Sequence, residues 1–201
     1  MAPSIVSDIE LPRDIPESRQ SAANVPIQKA FGLDNRTVIV TGAGRGLGIT
    51  LAVAVLESGA DAVCLDILPE PSADEWDIIT KLQKGTGVRA TYHRCDITNE
   101  EAVEKVVAEC GEEARQRGKP VKGMISCAGI QQMVDAIDYP MDGFRRIMEV
   151  NVTGSFLISK YTARLLRDQK LGGSIVMIAS MSGQIANRVS LDCFAHHALS
   201  Y

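Results

Sequence analysis

The stretch Thr37-Val38-Ile39-Val40-Thr41-Gly42-Ala43-Gly44-Arg45-Gly46-Leu47-Gly48 decides the fold. Its first five residues are β-branched without a break, the pattern of a strand covered on both faces of a parallel sheet. Gly42, Gly46 and Gly48 then punctuate a turn. Residues 47–58 follow with helical spacing, Leu47, Leu51, Ala54 and Val55 sharing one face and Gly59 placed to end the helix. A strand, a turn without side chains and a helix, in that order, bring backbone N–H groups at a helix N-terminus close to a phosphate. A glycine cluster by itself also suits a tight strand-to-helix turn with no ligand.

Outward from this unit the alternation repeats. Residues 62–66, 89–94, 121–126 and 174–180 read as further strands. Ser72 with Glu75, and Thr98 with Glu101, have capping-box spacing at two helix starts. Behind Thr98, the residues Ala102, Val103, Val106, Val107 and Cys110 recur at helical period, and a longer helix is expected over residues 143–169. Strand and helix in strict alternation specify an α/β fold, a doubly wound parallel sheet with helices on both faces.

At 201 residues the chain suits one domain with a sizeable core, and 45% of it is hydrophobic. A net charge of −4 leaves no basic footprint for nucleic acid. No apolar run reaches the roughly 18 residues of a membrane span. The five cysteines show neither C-x-x-C pairing nor metal-ligand spacing, so no metal site is expected and the setting is a reducing one, the cytoplasm. Pro3, Pro12, Pro16 and Pro26 with Asp8, Glu10, Asp14 and Glu17 make residues 1–32 an expected mobile arm, not a secretory signal or a transit peptide.

Asp66 ends the second strand, 18 residues beyond Gly48. There an acidic side chain accepts hydrogen bonds from the adenosine ribose of a dinucleotide and repels a 2′-phosphate, which favours NAD over NADP. Arg45 pulls the other way, since a cation in that turn pairs with a 2′-phosphate. The competing reading of Asp66 is a turn residue ahead of Pro69.

With Thr41-Gly42-x-x-x-Gly46-x-Gly48 in place, residues 33–188 resemble the short-chain dehydrogenase/reductase family. The resemblance implies a Rossmann-type NAD(P)-binding domain in which Thr41, Gly42, Arg45, Gly46, Leu47 and Gly48 form the cofactor turn. Cys95-Asp96-Ile97-Thr98 is similar to the family's segment after the third strand, which puts Asp96 and Ile97 at the cofactor, Asp96 against the adenine ring. A strand-end turn leading into Thr98 explains Asp96 equally. Ser126-Cys127-Ala128-Gly129 stands where the family has Asn-Asn-Ala-Gly. Ala128 and Gly129 agree and pass beside the cofactor, while both asparagines are replaced and a cross-strand hydrogen bond is expected to be lost.

Asn151 matches the asparagine of the family's Asn-Ser-Tyr-Lys tetrad, implied to perturb the long helix so that a backbone carbonyl holds a water; a solvent-facing Asn is the alternative. Ser180, three residues before Gly183, matches the catalytic serine that steadies the substrate oxygen, with Ser182 behind it. The run from Ala179 to Asn187 resembles the sugar-alcohol branch (arabinitol, mannitol and sorbose or xylulose enzymes), implying a small alcohol or ketone substrate.

No Tyr-x-x-x-Lys follows Ser180. The positions four residues after Tyr92, Tyr139 and Tyr161 hold Asp96, Gly143 and Leu165, and Tyr201 is the last residue. From Val189 the family pattern stops, so residues 189–201 are expected to be a non-family tail, with translated intron as its hypothesised origin. The family's sheet order, 3-2-1-4-5-6-7, would then lack its last strands, and the fifth strand would be an apolar edge. The expectations are an inactive dehydrogenase, weak assembly where the family forms homo-oligomers, and, as competing readings, a noncatalytic nucleotide-binding module or a non-functional product of intron retention.

Overall fold

The computed structural model describes residues 31–180. The chain divides into two units, Met1–Gly32 and Leu33–Tyr201, and every element described belongs to the second. β1 (Thr37–Thr41) lies between β2 (Asp61–Asp66) and β4 (Val121–Ser126). β3 (Ala90–Arg94) pairs with β2, and β5 (Ser174–Met177) pairs with β4. All four pairings are parallel, and the order is β3-β2-β1-β4-β5. The chain winds outward from β1 to β3, then crosses back to place β4 on β1's other side. That reversal opens a crevice at the carboxyl ends of β1 and β4, where α/β sheets bind ligands.

Side chains alternate across the strands into two cores. Val38, Val40, Ala62 and Cys64 pack with Ile49, Ala52, Val55 and Leu56 of α1 (Gly46–Glu57) and Ile79 of α2 (Ala73–Thr86). Ile39, Val63, Leu65 and Met124 meet Val103, Val107 and Cys110 of α3 (Glu100–Gln116) and Leu157, Ile158 and Tyr161 of α5 (Ser155–Asp168). Helices therefore cover both faces. Among the described residues, no helix is long and apolar enough to cross a membrane.

Several local expectations are corrected. The buried face of α1 carries Gly48, Ile49, Ala52, Val55 and Leu56; Leu47 is exposed and Ala54 points outward, because this helix is apolar nearly all round and its sequence does not single out one face. The N-cap of α3 is Asn99, whose Oδ1 accepts from the Ala102 N–H at 3.0 Å, and not Thr98, whose hydroxyl donates to Asp96 Oδ1 at 2.7 Å. Ser72 is the N-cap of α2 but makes no side-chain cap bond, and Glu75, the other half of the expected capping box, accepts instead from the Gly46 N–H at 3.1 Å. The helix expected over residues 143–169 starts at Met141 and has three parts: α4 (Met141–Met148), a π-helical segment (Glu149–Gly154) and α5. β5 ends at Met177, short of residue 180.

Three helices end in the same way, with a left-handed residue and a pair of backbone bonds that satisfy the last carbonyls. After α1, Gly59 (φ 95°) donates to Leu56 O, and Ala60 donates to Val55 O. Gly118 (φ 72°) plays that part after α3, and Lys170 (φ 55°) after α5, where Leu171 donates to Leu166 O. A lysine there bears the steric cost that glycine escapes, so Lys170→Gly raises stability by about 0.5–1 kcal/mol. A rise in the urea midpoint at constant m-value is the expected reading; an unchanged or lower midpoint contradicts it.

Candidate cofactor site

The turn between β1 and α1 is shaped by what its glycines exclude. Gly42 has φ 67°, and a Cβ on it would fall 2.7 Å from the Ala128 Cα. A Cβ on Gly48 would fall 2.0 Å from the Gly42 carbonyl oxygen. Gly46 has φ 60° and faces open space, with no atom within 4 Å of a built Cβ. The turn is thus packed tightly on the protein side and open around Gly46, whose amide donates to Glu75 while the amides that follow it are left for a ligand. That cradle fits a pyrophosphate, whose charge the N-terminal amides and dipole of α1 favour.

A cleft of about 350 Å³ opens in front of it, within the ordinary range of small-molecule sites. Of the residues singled out in the sequence, Gly42, Arg45, Gly46, Leu47, Gly48, Asp66, Asp96, Ile97, Ala128 and Gly129 line it. Thr41 does not. It is fully buried, and its Oγ1 accepts from the N–H groups of Cys127 at 3.1 Å and Ala128 at 3.2 Å. Thr41 thus ties the end of β1 to the segment after β4 through that segment's backbone amides. Ser126 Oγ adds a bond to Ser155 Oγ at 3.2 Å.

Each carboxylate oxygen of Asp66 is held by a backbone amide, Oδ2 by Gly44 at 2.8 Å and Oδ1 by Leu68 at 3.0 Å. Burial pushes the Asp96 carboxyl up, but the Thr98 N–H and hydroxyl and the Arg146 guanidinium outweigh it and hold Asp96 below the usual carboxylate range. Asn151 is buried within the π-helical segment. Its Oδ1 accepts from the Ile130 N–H at 2.9 Å and its Nδ2 donates to the Ile130 carbonyl at 3.0 Å, so it stands directly behind Gly129 and Ile130. Ser180 is half-buried, three residues past β5. Among the described residues, neither Asn151 nor Ser180 lines the cleft.

The cleft also includes Ile67, Leu68, Cys127, Ile130, Arg146 and Val150, none of which the sequence singled out as ligand contacts. Arg146 and Val150 belong to the helical run before Asn151 and reach the cleft only through tertiary packing. Cys127 is half-buried, and burial raises its thiol pKa. Cys64, Cys95 and Cys110 are buried, and burial pushes their thiols up to about 12, 11 and 12, well away from the thiolate form.

Residues 36–191 match the family model described as short chain dehydrogenase. The chain belongs to that family. Over 169 residues it is 40% identical to a short-chain dehydrogenase/reductase, notP', of Aspergillus versicolor, covering 84% of this chain and 57% of the relative. It is 32% identical to the ribulose-forming D-arabinitol 2-dehydrogenase of Candida tropicalis, covering 83% of this chain and 61% of that enzyme. A solved NAD+-bound xylitol dehydrogenase superposes with a TM-score of 0.71 at 29% identity, covering 83% and 62% of the two chains. The chain therefore spans about three fifths of the length of the short-chain dehydrogenases it matches among curated relatives.

Proposed function

We propose that residues 33–188 are the NAD-preferring domain of an oxidoreductase acting on a secondary alcohol or ketone, a polyol or ketose by class. The observation that carries the reading is the Asp66 carboxylate, fixed by two amides at the edge of a cleft whose other wall is a glycine-lined helix N-terminus. A nicotinamide dinucleotide bound there supplies hydride acceptance and donation.

The chain's own residues do the rest. The amides at the start of α1 bind the pyrophosphate. Asp66 accepts from the adenosine ribose hydroxyls and rejects a 2′-phosphate, outweighing Arg45, which is exposed at the N-cap. Asp96 and Ile97 flank the adenine, and Ala128 and Gly129 leave room for the dinucleotide. Asn151 acts by holding the Ile130 peptide in place, and the Ser180 hydroxyl steadies the substrate oxygen. The arabinitol and xylitol enzymes among the relatives support a polyol substrate, and the unpaired buried cysteines suit a cytoplasmic setting.

A second reading rests on one observation: within these 201 residues no tyrosine is followed four positions later by lysine. On that reading the chain binds NAD without turning over. Titration of the purified chain with NAD and NADP, followed by an assay with D-arabinitol and xylitol, tests both. The expected result is saturable binding, tighter for NAD by about tenfold or more, and the polyol assay then separates the two readings. Tighter NADP binding overturns the cofactor assignment; polyol oxidation by this chain overturns the noncatalytic reading.

A further inference from the structure

We infer that Gly44, which has no contact with the cleft of its own, sets the cofactor specificity of this chain by positioning the Asp66 carboxylate. The inference rests on the NAD reading proposed above. Gly44 is buried and is absent from the cleft lining. Its N–H donates to Asp66 Oδ2 at 2.8 Å, and the opposite oxygen accepts from Leu68. Charge-assisted bonds from two fixed amides leave the carboxylate one orientation.

The absence of a side chain at residue 44 matters as much as its amide. A Cβ there would lie 2.8 Å from Asp66 Cγ and 2.9 Å from Oδ2, closer than real Cβ contacts. The backbone of Gly44 is outside the left-handed region, so alanine meets no conformational strain. Its contacts are all within the Asp66 side chain, whose carboxylate turns away about its own χ angles while the Cβ, 3.2 Å off, needs to give by only a few tenths of an ångström. A methyl at position 44 therefore moves the carboxylate without breaking the turn.

Both amides are themselves anchored. The Gly44 carbonyl accepts from the Ser72 N–H at 2.8 Å, and two residues on, Gly46 donates to Glu75. The first turn of α2 thus grips the glycine turn on both sides of Arg45. On the other side of Asp66, the Leu68 carbonyl accepts from the Tyr92 hydroxyl at 2.9 Å, and Tyr92 is braced edge-on by Trp76 at 5.7 Å between ring centroids. A displaced Asp66 cannot be followed by its partners. It loses the ribose hydrogen bonds and its repulsion of a 2′-phosphate together, so the signature is a change in preference and not only in affinity.

The test is equilibrium binding of NAD and of NADP to the full chain as wild type, Gly44→Ala, Asp66→Ala and the double variant, with thermal melting of each. Gly44→Ala is expected to weaken NAD and to lower the ratio of NAD to NADP affinity by about tenfold. In the Asp66→Ala background the same methyl is expected to change neither affinity, because the group it displaces is gone. A wild-type ratio in Gly44→Ala overturns the inference, as does an equal loss in the Asp66→Ala background, which would place the effect on the turn itself. If Gly44→Ala alone fails to fold, recovery of the fold in the double variant supports the collision with Asp66, and continued failure overturns it. A wild-type chain that prefers NADP refutes the NAD reading separately, while the four-way comparison still decides whether Gly44 acts through Asp66.

Discussion

Gly48→Ala is expected to abolish saturable NAD binding and to cost about 3 kcal/mol or more of stability. Its methyl would sit 2.0 Å from the Gly42 oxygen and 2.5 Å from the Gly42 carbonyl carbon, both backbone atoms. Relief requires the turn to move by more than an ångström. Gly42 has nowhere to retreat, because it lies against the Ala128 backbone, itself tied to Thr41. Alanine gains about 1 kcal/mol of helix propensity over glycine, which is too little to offset the collision. Calorimetric titration with NAD and a denaturant melt read the two effects together. Unchanged NAD affinity would show that the turn is looser than its packing implies.

Asp61→Asn should lower stability by about 2–3 kcal/mol at neutral pH. Asp61 opens β2 with its side chain 5% exposed. Its Oδ1 accepts from Lys119 Nζ at 2.7 Å and the Arg89 N–H at 2.9 Å, and its Oδ2 accepts from the Arg117 guanidinium at 2.9 Å. One carboxylate therefore joins the starts of β2 and β3 to the corner between α3 and β4. Both cations reach water, with side chains 36% and 23% exposed, which keeps the loss below that of a fully buried pair.

Burial pushes the Asp61 carboxyl up, but Lys119, the Arg89 amide and Arg117 prevail and hold it below its ordinary value of 3.8. A carboxyl depressed in the folded state stabilises above its unfolded pKa, and that stability is lost as pH falls through the folded value. The gap between wild type and Asp61→Asn should accordingly be full at pH 7 and shrink as pH falls below about 4. Urea melts across that range check it; a gap independent of pH would show that packing, and not charge, carries the effect.

The strands were the most legible part of the sequence, because period and branching alone locate them: β1 and β4 fall on the expected residues, and β2 and β3 within one. Where two neighbours compete for one role, the sequence did not choose. Thr98 and Asn99 both suit an N-cap, and the choice falls to Asn99 because Asp96 captures the Thr98 hydroxyl. Glu75 suits a capping box until the glycine turn, distant in sequence, offers it the Gly46 amide. The site divides along the same line. Gly42, Gly46 and Gly48 announce themselves because Gly42 and Gly48 have no room for a Cβ and Gly42 and Gly46 have left-handed backbones that favour glycine. Arg146 and Ile130 do not, since only the packed helices bring them to the cleft.

The six-residue π-helical segment between α4 and α5 acts as a gearing. A π turn holds one residue more than an α turn, and each α-helical residue turns the face by about 100°. With that surplus residue, Arg146 and Val150 face the cleft while Leu157, Ile158 and Tyr161 face the core. Were all six of its residues wound as α turns, the second half of the helix would be rotated by about 100° relative to its first. The helix could then serve the cleft or the core, but not both.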